Sequence, residues 1–165
     1  TPSNSSAASD VYKRQTPYTA LKLFRPVDKI HPEEKRDLPH MKIRTVHAYN
    51  IDKPFHLKGF GVGFIIELDN LTIYHTGDTD LIQEIQKIRD IDILLVPVDG
   101  IHGLSSEDAA RLTAMIKPKI AIPMHYGTVP EIGSHRDAEK FRDLVADLIG
   151  ETEVRIMEIG ETTEI

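Results

Sequence analysis

Two short stretches of the chain carry residues suited to metal chemistry at the ends of apolar runs. In Leu71-Thr-Ile-Tyr-His-Thr-Gly-Asp-Thr-Asp80 an apolar segment reaches Gly77 and then presents Asp78 and Asp80. In Ile122-Pro-Met-His-Tyr-Gly-Thr128 a second apolar segment ends on His125, with Tyr126 and Gly127 directly behind it. A glycine at such a point lets the backbone adopt positive φ or approach another group closely, so a neighbouring side chain can be aimed beyond the strand end. Open α/β sheets hold their chemistry in that place, outside the carboxyl ends of strands. Two readings stand for each corner. Asp78 or Thr79 is equally suited to cap a following helix, and a lone strand-end histidine is more often a hydrogen-bonded structural residue. Two corners of the same design, separated by one whole βα unit, favour a shared metal site.

The elements that must position these residues follow from periodicity. Leu71–His75 is rich in β-branched and aromatic residues and pairs as a hairpin with Gly61–Leu68 through Asp69 and Asn70. Met41–Tyr49 alternates two faces and reads as a strand, and Asn50–Gly59 is a loop. Leu81, Ile82, Ile85 and Ile88 have the spacing of an amphipathic helix. Ile91–Pro97 is a continuous apolar run of the kind buried on both faces. A helix starts at Ser105 or Ser106, buries Ala109, Leu112 and Met115 and stops at Pro118. Lys119–Pro123 is a strand, Ser134–Ile149 a helix closed by Gly150, and Val154–Ile159 a last strand. Pro17, Pro26, Pro32 and Pro39 leave little regular structure between Tyr18 and Pro39 beyond a short strand at Leu21–Phe24. From Gly61 onward the order is β, β, α, β, α, β, α, β. That alternation predicts an α/β fold, a mixed sheet with right-handed crossovers.

Composition narrows the chemistry. With 165 residues, 40% hydrophobic and 28% charged, the chain suits one soluble domain. The absence of cysteine excludes disulfides, thiolate zinc sites and cysteine nucleophiles, so any transition metal must be held by histidine and carboxylate. A net charge of −6 argues against a nucleic-acid partner. No apolar run reaches membrane-spanning length and the first residues are polar, so a cytoplasmic location with no membrane association is expected. Thr1–Gln15 is rich in serine and alanine and reads as disordered. Ser5–Gln15 also resembles a translated artefact of fragmentary sequence assembly, so 1–15 is taken as foreign and 16–165 as a partial domain.

Tyr-His-Thr-Gly-Asp-Thr at 74–79 and Ile-Pro-Met-His-Tyr-Gly-Thr at 122–128 resemble the later metal motifs of the metallo-β-lactamase superfamily, and in particular the YtkL-like hydrolases related to the ascorbate-6-phosphate lactonases. The resemblance covers about Lys42 to Gly160. It implies the C-terminal half of an αββα sandwich with helices on one face of its sheet. It implies two divalent metals, usually zinc, with Asp78 as the bridging carboxylate, His125 as the histidine of the last motif, and a metal-bound hydroxide as nucleophile on an ester, lactone or phosphodiester. The remaining histidine is assigned to His56, directly before the Gly61 strand, in preference to His47 within an earlier strand. His75, Asp80, His102 and Tyr126 are placed around the ligands or on a substrate loop, with Asp80 favoured as a helix cap and His102 as exposed. His31, His40 and His135 read as solvated.

The superfamily's first metal motif, His-x-His-x-Asp-His, is absent from this sequence. The expected chain is therefore a truncated part of a hydrolase with weak or no metal binding of its own and a small-molecule substrate in the parent. It would expose the sheet face that the missing half covers, and would self-associate there. The competing class is a non-catalytic α/β module that binds or pairs with another chain. A phosphate binder ranks last, for want of a glycine-rich phosphate loop.

Overall fold

From Lys35 onward the chain builds a seven-stranded sheet whose strands stand side by side in the order in which they occur. The structure is a computed structural model and describes residues 14–15, 28–127 and 132–165. The sheet comprises β3 (Lys35–Leu38), β4 (Met41–Ala48), β5 (Gly61–Leu68), β6 (Leu71–His75), β7 (Ile93–Pro97), β8 (Ile120–Met124) and β9 (Glu153–Val154). Pairing is antiparallel from β3 to β6 and parallel from β6 to β9. A separate parallel pair joins β1 (Arg14–Gln15) to β2 (Asp28–Lys29).

Two helices make the later crossovers. The first, α1 (Ser106–Ile116), starts where Ser105 Oγ accepts from the Asp108 amide at 3.2 Å, and ends on Lys117 in the left-handed region just before Pro118. The second, α2 (His135–Leu148), opens on a carboxylate cap, with Asp137 accepting from both the amide and the hydroxyl of Ser134. Both pack on the sheet face that carries Ile65, Tyr74, Leu94, Val96 and Ala121. There Ala109, Leu112, Ile116, Ala138, Phe141 and Val145 complete the core. Register places a row of isoleucines, Ile43, Ile66, Ile73, Ile93 and Ile120, across the opposite face. No helix among the described residues covers it, and Ile66, Ile73, Leu95 and Ile122 are only half-buried. The expected α/β architecture, a mixed sheet with helices on one face, is the one observed.

Four local expectations change. The helix expected over Leu81–Ile88 is only a 3-10 turn at Ile85–Lys87. Its apolar residues Ile82, Ile85 and Ile88 are buried as the spacing requires. However, the preceding Thr79 and Asp80 are tied across the chain to residues 49–53, which keeps the backbone out of helical geometry. None of Asp78, Thr79 and Asp80 therefore caps a helix. The strand expected at Val154–Ile159 stops at Val154, because Pro123 in β8 has no N–H with which to extend the ladder. Lys35–Leu38 is an edge strand inside the proline-rich stretch, with Pro32 and Pro39 outside its two ends. The Leu21–Phe24 strand lies outside the described residues, as does the 1–15 segment apart from Arg14 and Gln15. Among the described residues no helix is long and apolar enough to cross a membrane.

Candidate functional site

β4, β6, β7 and β8 run in one direction, so their C-terminal ends share an edge. His56 lies on the loop after β4, Asp78 on the turn after β6, Asp99 after β7 and His125 after β8. At the Asp78 corner Gly77 takes φ +68°, and a Cβ there would lie 2.7 Å from the Val62 carbonyl oxygen, so only glycine fits. At the second corner His125 itself takes φ +59°, an uncommon left-handed conformation for a non-glycine residue.

Asp78 stands between two imidazoles. Its Oδ2 is 3.4 Å from His56 Nε2 and its Oδ1 is 3.4 Å from His125 Nδ1. Each histidine is held from behind. His56 Nδ1 is 3.1 Å from the His102 carbonyl oxygen and 3.2 Å from Asn50 Oδ1. Both of these are acceptors, so Nδ1 carries the hydrogen and Nε2 is left with its lone pair towards Asp78. His125 Nδ1 donates to Asp99 Oδ2 at 3.0 Å, which leaves its Nε2 uncommitted by Asp99.

The Asp99 side chain is fully inaccessible. Its Oδ1 accepts from the amides of Ile101, His102 and Gly103 at 2.6, 2.8 and 3.1 Å. Burial pushes its pKa up, but the His125 bond and these three amides outweigh it and hold the carboxyl down at about 2. The same bond raises the pKa of His125 above its ordinary value against the effect of burial, with Asp78 adding to the rise. His75 donates nothing to the cluster. Its Nδ1 accepts from the Gly77 amide at 3.1 Å, and burial, with the charge of His125, lowers its pKa against the pull of Asp78.

The loop that carries His56 is ordered by Asn50, only 6% exposed. Its amide donates to the His56 carbonyl at 2.7 Å, Oδ1 accepts from the His56 amide at 3.1 Å, and Nδ2 donates to Asp80 Oδ1 and the His102 carbonyl. Asp80 also accepts from the Ile51 amide at 2.8 Å and from Lys53 Nζ at 2.7 Å. Asp80 thus fastens this loop and is not the helix cap expected.

The structure brings Asp78, His56 and His125 together, with His75 beside them. His102 takes part through its carbonyl oxygen. Its ring lies against Phe55 with centroids 4.6 Å apart, and it is half-buried where exposure was expected. The Tyr126 hydroxyl is turned to the main chain of Met157, donating to its oxygen at 2.6 Å and accepting from its nitrogen at 2.8 Å. His47 stays within β4, its Nδ1 buried and without a partner. His31, His40 and His135 are exposed. Sequence reasoning passed over Asp99 and Asn50 as loop residues. Asp99-Gly100 directly after a buried strand repeats the strand-end design of the other two corners and was the available signal.

Among the described residues, no three His, Asp or Glu side chains close tightly enough to hold a metal ion by themselves. The donor chemistry nevertheless suits a divalent cation. Zinc ligated at 2.0–2.2 Å in a tetrahedron separates neighbouring donor atoms by about 3.4 Å, and His56 Nε2 and Asp78 Oδ2 are 3.4 Å apart.

Residues 10–125 match the family model described as the beta-lactamase superfamily domain. A UPF0173 metal-dependent hydrolase of Archaeoglobus fulgidus is 37% identical over 109 residues, which are 64% of this chain and 46% of that protein. The chain spans about half the length of the curated relatives it matches. Among solved structures, a protein from Parabacteroides distasonis described as a metal-dependent hydrolase superposes with a TM-score of 0.73 at 28% identity, over 87% of this chain and 62% of its own. A metallo hydrolase from Ignicoccus hospitalis gives a TM-score of 0.70 at 28% identity, over 93% and 65%.

Proposed function

The chain belongs to the beta-lactamase superfamily domain family, and from that premise we propose that it carries one side of the active site of a metal-dependent hydrolase, with Asp78, His56 and His125 as its cation ligands. One observation carries the assignment. His56 Nε2 and Asp78 Oδ2, two acceptors by the hydrogen-bond pattern around them, face each other at 3.4 Å, an arrangement that requires a proton or a cation between them. The relatives are named as metal-dependent hydrolases, which supports the cation.

A divalent ion held there, zinc by the preference of the family, lowers the pKa of a water and polarises the bond to be cleaved, so no serine or cysteine nucleophile is needed. The protein's own residues do the rest. Asp78 supplies the negative charge that draws a cation to the strand edge, and its two oxygens face the two histidines. The His102 carbonyl and Asp99 accept from Nδ1 of His56 and His125, so in each ring Nε2 is the nitrogen left for a cation. The substrate class is an ester, lactone or phosphodiester. With three ligands and no His-x-His-x-Asp-His motif, this chain alone binds zinc weakly.

Titration of the metal-free chain with zinc, followed by calorimetry, tests the ligand set. Asp78→Ala, His56→Ala and His125→Ala should each abolish binding, and the exposed His135→Ala should leave it unchanged. Stoichiometric zinc that survives the first three substitutions would overturn the assignment. The alternative, a non-catalytic module that pairs with a second chain, is favoured by the half-buried Ile66, Ile73, Leu95 and Ile122 on the sheet face opposite the helices. A chain that stays monomeric up to high concentration in sedimentation experiments would remove that support.

A further inference from the structure

We propose that Asp99 is a single positioning residue for both histidines of the site, acting directly on His125 and, through the 101–103 turn, on His56. The two carboxylate oxygens have separate tasks. Oδ2 accepts from His125 Nδ1 at 3.0 Å. Oδ1 gathers the three successive amides of Ile101, His102 and Gly103. That turn holds the His102 carbonyl oxygen 3.1 Å from His56 Nδ1 and 3.0 Å from Asn50 Nδ2, so one of the two contacts that select the His56 tautomer depends on it directly, and the other, Asn50 Oδ1, belongs to a side chain that it anchors. The side chain is wholly buried and its residue also bridges to Ser105 just before α1, so Asp99 has no freedom to serve one histidine without the other. The two imidazoles that flank Asp78 on opposite sides are thereby set by one carboxylate.

The geometry makes two substitutions behave differently. In Asp99→Asn the three amides still need an acceptor, so the amide oxygen stays on their side and the NH2 group turns to His125. A donor then faces Nδ1 at hydrogen-bond distance, and because Asp78 Oδ1 at 3.4 Å is the weaker partner, the ring shifts its hydrogen to Nε2. The turn, and with it His56, is preserved. In Asp99→Ala both contacts vanish, and with Asn50 Oδ1 at 3.2 Å still beside His56 Nδ1 and Asp78 Oδ1 at 3.4 Å beside His125 Nδ1, the preference of both rings weakens.

Long-range 1H–15N spectra of the metal-free 165-residue chain at mildly alkaline pH report the tautomer of each histidine. The native chain should show Nδ1-protonated rings at His56 and His125. Asp99→Asn should invert His125 alone, and Asp99→Ala should disturb both. A His125 that keeps its tautomer in Asp99→Asn overturns the direct role, and a His56 unchanged in a folded Asp99→Ala chain overturns the indirect one. If Asp99→Ala fails to fold, His102→Pro, which removes one of the three amides, takes its place for the second arm. A zinc titration then separates this proposal from the ligand assignment, on which only this last arm rests. Asp99→Asn should weaken zinc binding about 10- to 100-fold. An inverted tautomer with unchanged zinc affinity would support the positioning role and remove His125 from the ligand set.

Discussion

The corners after β6 and β8 meet the same steric demand by opposite means. After β6 the left-handed residue is Gly77, and the proposed ligand Asp78 follows it in ordinary backbone. After β8 the proposed ligand, His125, is itself the left-handed residue, and Gly127 comes two residues later. The first corner is held by close approach of main chain to main chain, 2.7 Å from any added Cβ to the Val62 oxygen. The second is held by a side chain, the His125 bond to Asp99. Backbone fit is indifferent to pH and to side-chain chemistry, whereas a charge-assisted hydrogen bond responds to both.

Substitutions at each corner should expose that difference. Gly77→Ala has nowhere to put its methyl group and pays the left-handed penalty as well, so denaturant unfolding should show a loss of about 3–4 kcal/mol. His125→Ala keeps the strained backbone and removes the bond to Asp99, a loss of about 2 kcal/mol. His125→Asn, which tolerates positive φ and can still donate to Asp99, should stay within roughly 0.5 kcal/mol of the native chain while losing zinc.

Acid should weaken the two corners through different groups, His75 at the first and Asp99 at the second. The folded pKa of Asp99, about 2, lies below its ordinary 3.8, so its stabilisation is complete above 3.8 and is lost as the pH falls towards 2. That contribution is on the order of 2 kcal/mol, and its loss should be missing from the acid limb of Asp99→Asn. For His125 the sign reverses. Its raised pKa gives stabilisation that is full below 6.5 and disappears as the pH climbs through the folded value. At the Gly77 corner the lowered pKa of His75, whose Nδ1 accepts from the Gly77 amide, makes stability decline as the pH falls below 6.5 towards the folded value.

The tyrosines beside the corners give the smallest and sharpest contrast. The Tyr74 hydroxyl, in β6, is fully buried with no hydrogen-bond partner, and burial raises its pKa. The Tyr126 hydroxyl makes two bonds to Met157. Tyr126→Phe should cost about 1 kcal/mol and Tyr74→Phe should gain a similar amount. Equal effects would show that the Tyr74 hydroxyl has a partner after all.

How legible this was in the sequence depended on the range of the interaction. Met41–Ala48, Gly61–Leu68 and α2 could be read because alternation and helical spacing are local. The Asp78 and His125 corners were legible for the same reason, glycine and a polar residue directly after an apolar run. Leu81–Ile88 misled because helical spacing only records that Ile82, Ile85 and Ile88 face the core, while the geometry between them was decided by Thr79 and Asp80 bonding to residues thirty positions earlier. Asp99-Gly100 carried the strand-end signal of the other two corners, but its bond to His125, like those of Asn50 to Asp80 and to the His102 carbonyl, exists only once loops after different strands meet, 26 to 52 positions apart.

Sheet order also fixes an order in time. Because β3 to β9 stand in chain sequence, each strand can dock on the edge that the preceding one leaves. Asp78 can take its place once β6 has joined β5, whereas Asp99, the turn that presents the His102 carbonyl to His56, and His125 arrive only with β7 and β8. At about 5–20 residues per second of synthesis, Asp78 leaves the ribosome several seconds before His125 does. The left-handed His125 is thus the closing piece of the cluster around Asp78.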